Sequence, residues 1–161
     1  KGWTVAKYLL GHERMGSGSV GASRRELAAL KDLATRELKN GQPLINDARF
    51  RDKLTRVEVE LDALELTSMR FLDKMRRTGQ PPGADVSMLK IRGTEVQQAI
   101  TELMMQAVGP MAAPFQAVDG GQVDHVTSRL APRYFNYRKA SIYAGSNEIQ
   151  RNIIAKMTLG L

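Results

Sequence analysis

A turn of small residues followed by a polar run stands near the end of the chain, at Gly145-Ser-Asn-Glu-Ile-Gln150. The first turn of a helix has free backbone amides that Ser146 or Asn147 can cap, and Glu148 lies favourably in the helix dipole. Apolar residues continue behind these polar groups as far as Met157. The pattern predicts a helix whose start faces a ligand, although capping alone would also explain the polar residues.

A second group that could do chemistry is the pair Glu13-Arg14, which ends an apolar-rich segment that begins at Gly2. A carboxylate in a desolvated pocket can remove a weakly acidic proton, because burial raises its pKa toward the working pH. Glu13 is therefore a candidate general base. The alternative is a surface acid that pairs with Arg14 or Arg24.

The segment Gly16-Ser-Gly-Ser-Val-Gly21 satisfies the dinucleotide-binding pattern G-x-G-x-x-G. That pattern binds a pyrophosphate only where a strand leads into the turn and a helix follows it. Residues 4–10 have a helical pattern and no strand precedes the glycines. We therefore interpret the small residues as a place where a helix start packs closely against a neighbour.

Composition excludes several classes of site. The 161-residue chain is 42% hydrophobic and 25% charged, as expected for one folded domain. It has no cysteine and only two histidines, His12 and His125, so the sequence predicts neither disulfides nor a metal site. The net charge is +7, but the basic residues are interleaved with acidic ones along the chain, and aromatic residues make up only 6%. This favours anionic ligands such as nucleotides or CoA over nucleic acid, which needs a base-stacking surface.

The apolar runs are far shorter than the roughly 20 residues that a membrane span requires, and no signal-like stretch is visible. We therefore expect a cytoplasmic protein without a membrane span. The first residues, Lys1-Gly-Trp, contain no initiator Met and start in mid-pattern. This leads us to interpret the chain as a fragment of a longer protein.

Helical periodicity dominates the chain, and no convincing alternating strand pattern is present. Residues 47–77 carry one apolar stripe with a 4-3-4-3 spacing. Its members are Phe50, Leu54, Val57, Leu61, Leu64, Phe71 and Met75. The two prolines of the segment Thr78-Gly-Gln-Pro-Pro-Gly83 end this helix.

A second stripe follows, and Asp85 or Ser87 can cap its helix, which ends at Gly109-Pro110. Its members are Leu89, Val96, Ile100 and Leu103. Further helices are predicted over residues 23–39 and 146–157, with a shorter piece at 3–10 and a looser connection at 110–133. The simplest packing is an all-α, four-helix up-and-down bundle with an irregular crossover before its last helix.

The segment Ile142-Tyr-Ala-Gly-Ser-Asn-Glu-Ile-Gln-Arg151 resembles the C-terminal signature of the acyl-CoA dehydrogenases, which are FAD enzymes. Residues 2–14 are similar to the segment by which many bacterial members enter their C-terminal domain. The resemblance covers almost the whole chain and is near the pimeloyl-CoA dehydrogenase large subunits. It implies that residues 1–161 form the C-terminal helical domain, and that the N-terminal helical and middle β domains of the parent are absent.

The resemblance implies a role for Glu13. Many members place the catalytic glutamate just before the glycine of the signature, where this chain has Ala144, which cannot take a proton. Others, including the isovaleryl and long-chain enzymes, place the base in a Glu-Arg pair that aligns with Glu13-Arg14. Glu13 is then the catalytic base, Arg14 binds substrate beside it, and Gly145 lies next to the thioester.

The resemblance also implies contacts with FAD. Ser146 and Glu148 occupy family positions that touch the cofactor. Gln106 and Gly109 belong to a segment that resembles the Gln-x-x-Gly-Gly element, which contacts the FAD of a neighbouring subunit; Pro110, which has no amide donor, replaces the second glycine.

A third FAD-binding element of the family, an Arg three residues before Phe-Gly, is replaced by Glu37-Leu-Lys-Asn-Gly41, where only the glycine is kept. Arg36 or Lys39 could supply the missing positive charge to the pyrophosphate. The alternative is that both are ordinary cations near the C-terminus of a helix.

The implied reaction converts an acyl-CoA to the trans-2-enoyl-CoA, with α-proton removal by Glu13 and transfer of the β-hydride to flavin. The implied partners are an acyl-CoA substrate, an electron-transferring flavoprotein, and further subunits in a homotetramer or heteromer. The fragment alone should be inactive. Two alternatives remain: a non-catalytic partner subunit of a heteromeric enzyme, and a basic helical bundle that binds proteins or nucleic acid, which would leave both resemblances unexplained.

Overall fold

Six α-helices account for most of the computed structural model, which describes residues 2–16, 18–81, 83–113 and 127–161. The helices are α1 (Gly2–Gly16), α2 (Val20–Arg36), α3 (Ala48–Thr78), α4 (Ser87–Val108), α5 (Leu130–Arg138) and α6 (Asn147–Ile154). A π-helical turn, Ala155–Leu159, continues α6. The all-α prediction is confirmed. Helix α5 was not predicted, because it lies partly in the stretch interpreted as a loose connection.

The apolar stripe of α3 faces the core as its spacing predicts. Its first five members, from Phe50 to Leu64, are buried, and the last two, Phe71 and Met75, are half-buried. The helix begins at the Asp47 cap, whose carboxylate accepts a hydrogen bond from the backbone N–H of Phe50 at 2.9 Å. It ends at a glycine in the left-handed conformation, before the prolines that were expected to stop it.

Helix α4 lies at the centre of the bundle and packs against each of the other five helices. Leu89 and Ile100 are fully buried there, opposite Leu30 of α2 and Leu61 of α3 in one apolar core. The predicted cap of α4 by Asp85 or Ser87 is wrong: a 3-10 turn, Ala84–Val86, leads into the helix, and no side chain caps it.

Helix α2 ends at Arg36, three residues earlier than predicted. A two-residue ladder follows, in which β1 (Leu38–Lys39) pairs antiparallel with β2 (Gln42–Pro43). Asn40 and Gly41 form the turn with φ angles of 53° and 76°, as two-residue hairpins with Asn-Gly do. The cations considered for pyrophosphate are both in ion pairs, Arg36 with Asp32 at 2.7 Å and Lys39 with Asp47 at 2.7 Å.

The glycine-rich segment at residues 16–21 joins α1 to α2. Gly18 is buried against Gly93 of α4, so closely that a Cβ atom on Gly93 would lie 2.7 Å from the Gly18 Cα. The prediction of close packing is confirmed. Since a helix leads into the segment, its surroundings are not those of a Rossmann loop.

Candidate functional site

The predicted ligand-facing element is the turn between α5 and α6, residues 141–146, which we call the signature turn. Ala144 and Gly145 both have left-handed backbones, with φ angles of 54° and 86°, and both are exposed. Helix α6 starts directly behind them. Ser146 is its cap, because the Ser146 hydroxyl accepts a hydrogen bond from the Ile149 N–H at 3.4 Å. Of the two predicted caps, the structure has Ser146.

Glu148 is an exposed residue in the first turn of α6. Its pKa is lowered, first by a hydrogen bond with its own backbone N–H and then by the hydroxyl of Ser146. Arg151 contacts both Glu148, at 3.6 Å, and Glu95 of α4, at 3.0 Å. Arg151 therefore ties the start of α6 to α4. The Glu148 carboxylate stays ionised near neutral pH.

Under the signature turn lies a buried polar cluster that sequence reasoning missed. It consists of Lys90 and Thr94 on α4 and Asn147 at the start of α6, with 3%, 5% and 4% of their surfaces exposed. The Lys90 ammonium donates to the Asn147 side-chain oxygen at 3.1 Å, and the Asn147 amide donates to the Thr94 hydroxyl at 3.1 Å. Polar residues four apart, next to the apolar stripe of α4, were the only sequence signal.

Two glutamines fix the flanks of the turn. The Gln98 amide of α4 donates to the carbonyl oxygens of Tyr137 and Arg138, at 3.2 and 3.3 Å. Gln150 is buried against Gly145, where an added Cβ would lie 2.6 Å from the Gln150 nitrogen. A side chain at position 145 would therefore displace Gln150, and this explains the glycine structurally.

Glu13 and Arg14 lie near the end of α1, which packs against α4. The structure describes the backbone there, and their side chains lie outside the described residues. Earlier on the same helix, four large apolar side chains are 55–72% exposed. They are Trp3, Val5, Tyr8 and Leu9.

Gln106 and Gly109 lie at the other end of α4 from the signature turn. The spacing from Lys90 to Gln106 corresponds to about 24 Å of helix. The Gln106 oxygen accepts from Lys53 at 2.8 Å, and Gly109 ends the helix with a φ of 70°. The structure thus separates these two predicted residues from Gly145, Ser146 and Glu148, which it brings together.

Within the described part of the chain, no group of His, Cys, Asp and Glu could hold a metal ion. None of the helices described there is long and apolar enough to cross a membrane. What the signature turn does offer is a capped helix start with free backbone amides, a glycine without a side chain, a half-buried Ser146 hydroxyl and an exposed Glu148 carboxylate. Such a set suits the polar edge of a planar or anionic ligand.

Comparison with protein families gives one match across the chain. The acyl-CoA dehydrogenase C-terminal domain family matches residues 1–159. The sequence is 34% identical over 163 residues to acyl-CoA dehydrogenase IpdE1 of Mycobacterium tuberculosis. That alignment covers 99% of this chain but only 38% of the relative, so the chain spans well under half the length of IpdE1.

Solved structures share the fold. The ChsE4-ChsE5 complex from Mycobacterium tuberculosis superposes with a TM-score of 0.77 at 25% identity, covering 100% of this chain and 41% of that one. The glutaryl-coenzyme A dehydrogenase in complex with glutaryl-CoA has a TM-score of 0.76 at 20% identity, covering 98% of this chain and 38% of that one.

Proposed function

Because the chain belongs to the acyl-CoA dehydrogenase family, as its C-terminal domain, we propose that it is part of an FAD-dependent enzyme that oxidises an acyl-CoA to the trans-2-enoyl-CoA. The observation that carries the proposal is the signature turn, where Ala144 and Gly145 are left-handed and lead into the capped start of α6. The domains that complete the flavin and acyl pockets lie outside these 161 residues. The isolated chain should then be inactive.

In this proposal Glu13 is the catalytic base. Position 144, where many family members have their glutamate, holds alanine and offers no proton acceptor. The carboxylate of Glu13 takes the α-proton of the thioester, and the resulting enolate needs hydrogen-bond donors at its oxygen. The exposed apolar side chains of α1 support this role, because an acyl pocket that covers them would exclude water from the helix that carries Glu13. Arg14 binds substrate beside it.

The cofactor contacts proposed for this chain are Ser146 and Glu148, which lie at the start of α6, Glu148 exposed and Ser146 half-buried. FAD, when bound, supplies the acceptor for the hydrogen that leaves the β-carbon. Gln106 lies about 24 Å from Lys90 along α4, and Gly109 follows the end of that helix. That separation supports a contact with the cofactor of a neighbouring subunit and an assembly in which sites are shared.

The test is made with the full-length parent enzyme. Its flavin spectrum is recorded during anaerobic addition of acyl-CoA thioesters, including a dicarboxylyl one. We expect the oxidised flavin band to bleach. Glu13→Gln should bind flavin and substrate, but its rate of bleaching should fall by a factor of about 100 or more, the usual contribution of a general base. Glu58→Gln, which removes an acid that pairs with Lys31, is the matched control and should behave as wild type.

A second candidate is a partner subunit without catalysis of its own. It is favoured by Ala144 and by the match to the ChsE4-ChsE5 complex, a solved assembly of two different proteins. Bound flavin that no thioester bleaches would select this candidate, and unchanged turnover of the Glu13→Gln enzyme would remove Glu13 as the base. Flavin absent from the purified parent would contradict both.

The proposed partners follow from the proposed acyl-CoA dehydrogenase activity. Electrons leave to an electron-transferring flavoprotein, and the parent assembles as a homotetramer or heteromer in the cytoplasm. Four large apolar side chains on α3 are exposed, and such side chains support assembly where they form one contiguous patch. They are Val59, Leu66, Met69 and Leu72. Tight stoichiometric flavin in the purified 161-residue chain would contradict the shared site.

A further inference from the structure

Lys90 is a buried cation with no ionic partner among the described residues. Only 3% of its surface is exposed, and the described residues place no carboxylate within ion-pair distance of its ammonium. Burial lowers the pKa of Lys90, and the charge of Glu148 opposes this by a smaller amount. Burying an ammonium costs free energy unless hydrogen bonds compensate. Its partners therefore indicate what the side chain does.

Those partners lie on either side of the signature turn. The Lys90 ammonium donates to the carbonyl oxygen of Ala140 at 2.8 Å, just before the turn, and to the side-chain oxygen of Asn147 at 3.1 Å, just after it. Thr94, one helical turn along α4, holds the Asn147 amide from the other side. A single charged group thus fixes both ends of residues 141–146 to α4.

We propose that Lys90 is a positioning residue that ties the signature turn to α4. The tie keeps Gly145 and Ser146 in the geometry needed for the thioester and flavin contacts, so the inference rests on the function proposed above. Hydrogen bonds to a charged donor are stronger than those between neutral groups, and here they act in a dry environment.

Each of the other contacts of the turn holds only one of its ends. Gln98 reaches Ser141 at 3.3 Å and the carbonyls before it, all on the α5 side. Gln150 approaches the Gly145 carbonyl at 3.5 Å from within α6. Among the described residues, Lys90 contacts both ends. Losing it should release the turn while the bundle core stays folded.

The experiment compares Lys90→Met with Lys31→Met in the full-length parent. Methionine keeps the length and apolar stem of lysine but removes the ammonium. Lys31, which pairs with Glu58 between α2 and α3, is the matched control. Hydrogen exchange followed by mass spectrometry reports on peptides of the signature turn and of α3, and the flavin spectrum and steady-state kinetics are recorded alongside.

In Lys90→Met we expect amides of residues 141–149 to exchange about 10-fold faster or more, the factor that one hydrogen bond to a charged group is worth. Peptides of α3 should keep their wild-type rates. Turnover at saturating acyl-CoA should fall, because the reacting groups are misplaced in the bound complex, not merely bound more weakly. Lys31→Met should match wild type in every measurement.

Unchanged exchange of the turn in Lys90→Met would overturn the proposal. So would an equal acceleration in the turn and α3, which would mean that Lys90 only supports overall stability. Should Lys90→Met not fold, Asn147→Ala removes the α6 end of the tie and carries the same expectation. A wild-type parent whose flavin does not respond to acyl-CoA would contradict the proposed function, while the exchange data would still decide the role of Lys90.

Discussion

Gly93→Ala tests the contact that sets α1 against α4. An added Cβ would lie 2.7, 2.8 and 3.0 Å from the Cα, carbonyl oxygen and carbonyl carbon of Gly18. All three are backbone atoms, which cannot rotate away as the end of a side chain can. The segment joining α1 to α2 must therefore move off α4, and the helix that carries Glu13 moves with it.

The expected cost follows from two opposing terms. Overpacking of a close contact typically costs about 1–3 kcal/mol, and three short backbone contacts argue for the upper end of that range. Alanine in a helix interior is favoured over glycine by about 1 kcal/mol. The net loss should be about 2 kcal/mol, which corresponds to a melting temperature about 4–8 °C lower for a chain of this size.

Gly18→Ala, at the other glycine of this close contact, gives the control. A Cβ on Gly18 would meet the Leu64 side chain at 3.7 Å and the Leu89 carbonyl oxygen at 3.8 Å, which are ordinary contacts. Gly18→Ala should change stability by no more than about 0.5 kcal/mol. Urea unfolding followed by circular dichroism measures both variants. A Gly93→Ala chain as stable as wild type, or an equal loss in Gly18→Ala, would refute the reasoning.

Two further predictions concern the bundle. Leu61→Ala, at a side chain with 0% exposure, should cost about 2–5 kcal/mol in urea unfolding, whereas Leu66→Ala, 62% exposed on the same helix, should stay within about 0.5 kcal/mol; equal losses would contradict the assigned burial. Lys39 and the N–H of Phe50 lower the pKa of Asp47. The stability it contributes is therefore present in full above the ordinary aspartate pKa of about 3.9 and is lost as the pH falls through the folded-state pKa. Asp47→Asn should weaken this acid-dependent loss in melting curves between pH 2 and 6, and an unchanged profile would remove Asp47 as its source.

Periodicity predicted most of α3 because a single property, apolar spacing, decides which face of a long helix is buried. It failed at the hairpin after α2, where strands of two residues are too short to alternate. The Asn40-Gly41 pair was the available signal there, because Asn-Gly is typical of two-residue hairpin turns. The end of α4 at Gly109 agrees with the prediction, but its predicted cap is wrong, since a 3-10 turn and not a side-chain cap starts that helix.

At the candidate site, sequence narrowed the α6 cap to Ser146 or Asn147 but could not choose between them. The choice depends on Lys90, 57 residues away in the chain, which binds the Asn147 side chain and leaves Ser146 to cap the helix. The residues around Ser146 and Asn147 in the sequence do not reveal a partner as distant as Lys90. Lys90 itself resembled a surface lysine for the same reason, because its burial is caused by the return of the chain after α5.

Helix α4 packs against all the other helices in the core, and it also supports the signature turn. Lys90, which holds the turn, lies on the same helix as the core residues Leu89 and Ile100. Thermal loosening of α4 from α2 and α3 is therefore passed on to the turn, and the site cannot keep its geometry at a temperature at which the bundle has melted. The working range of the site and the melting of the bundle are set by one helix.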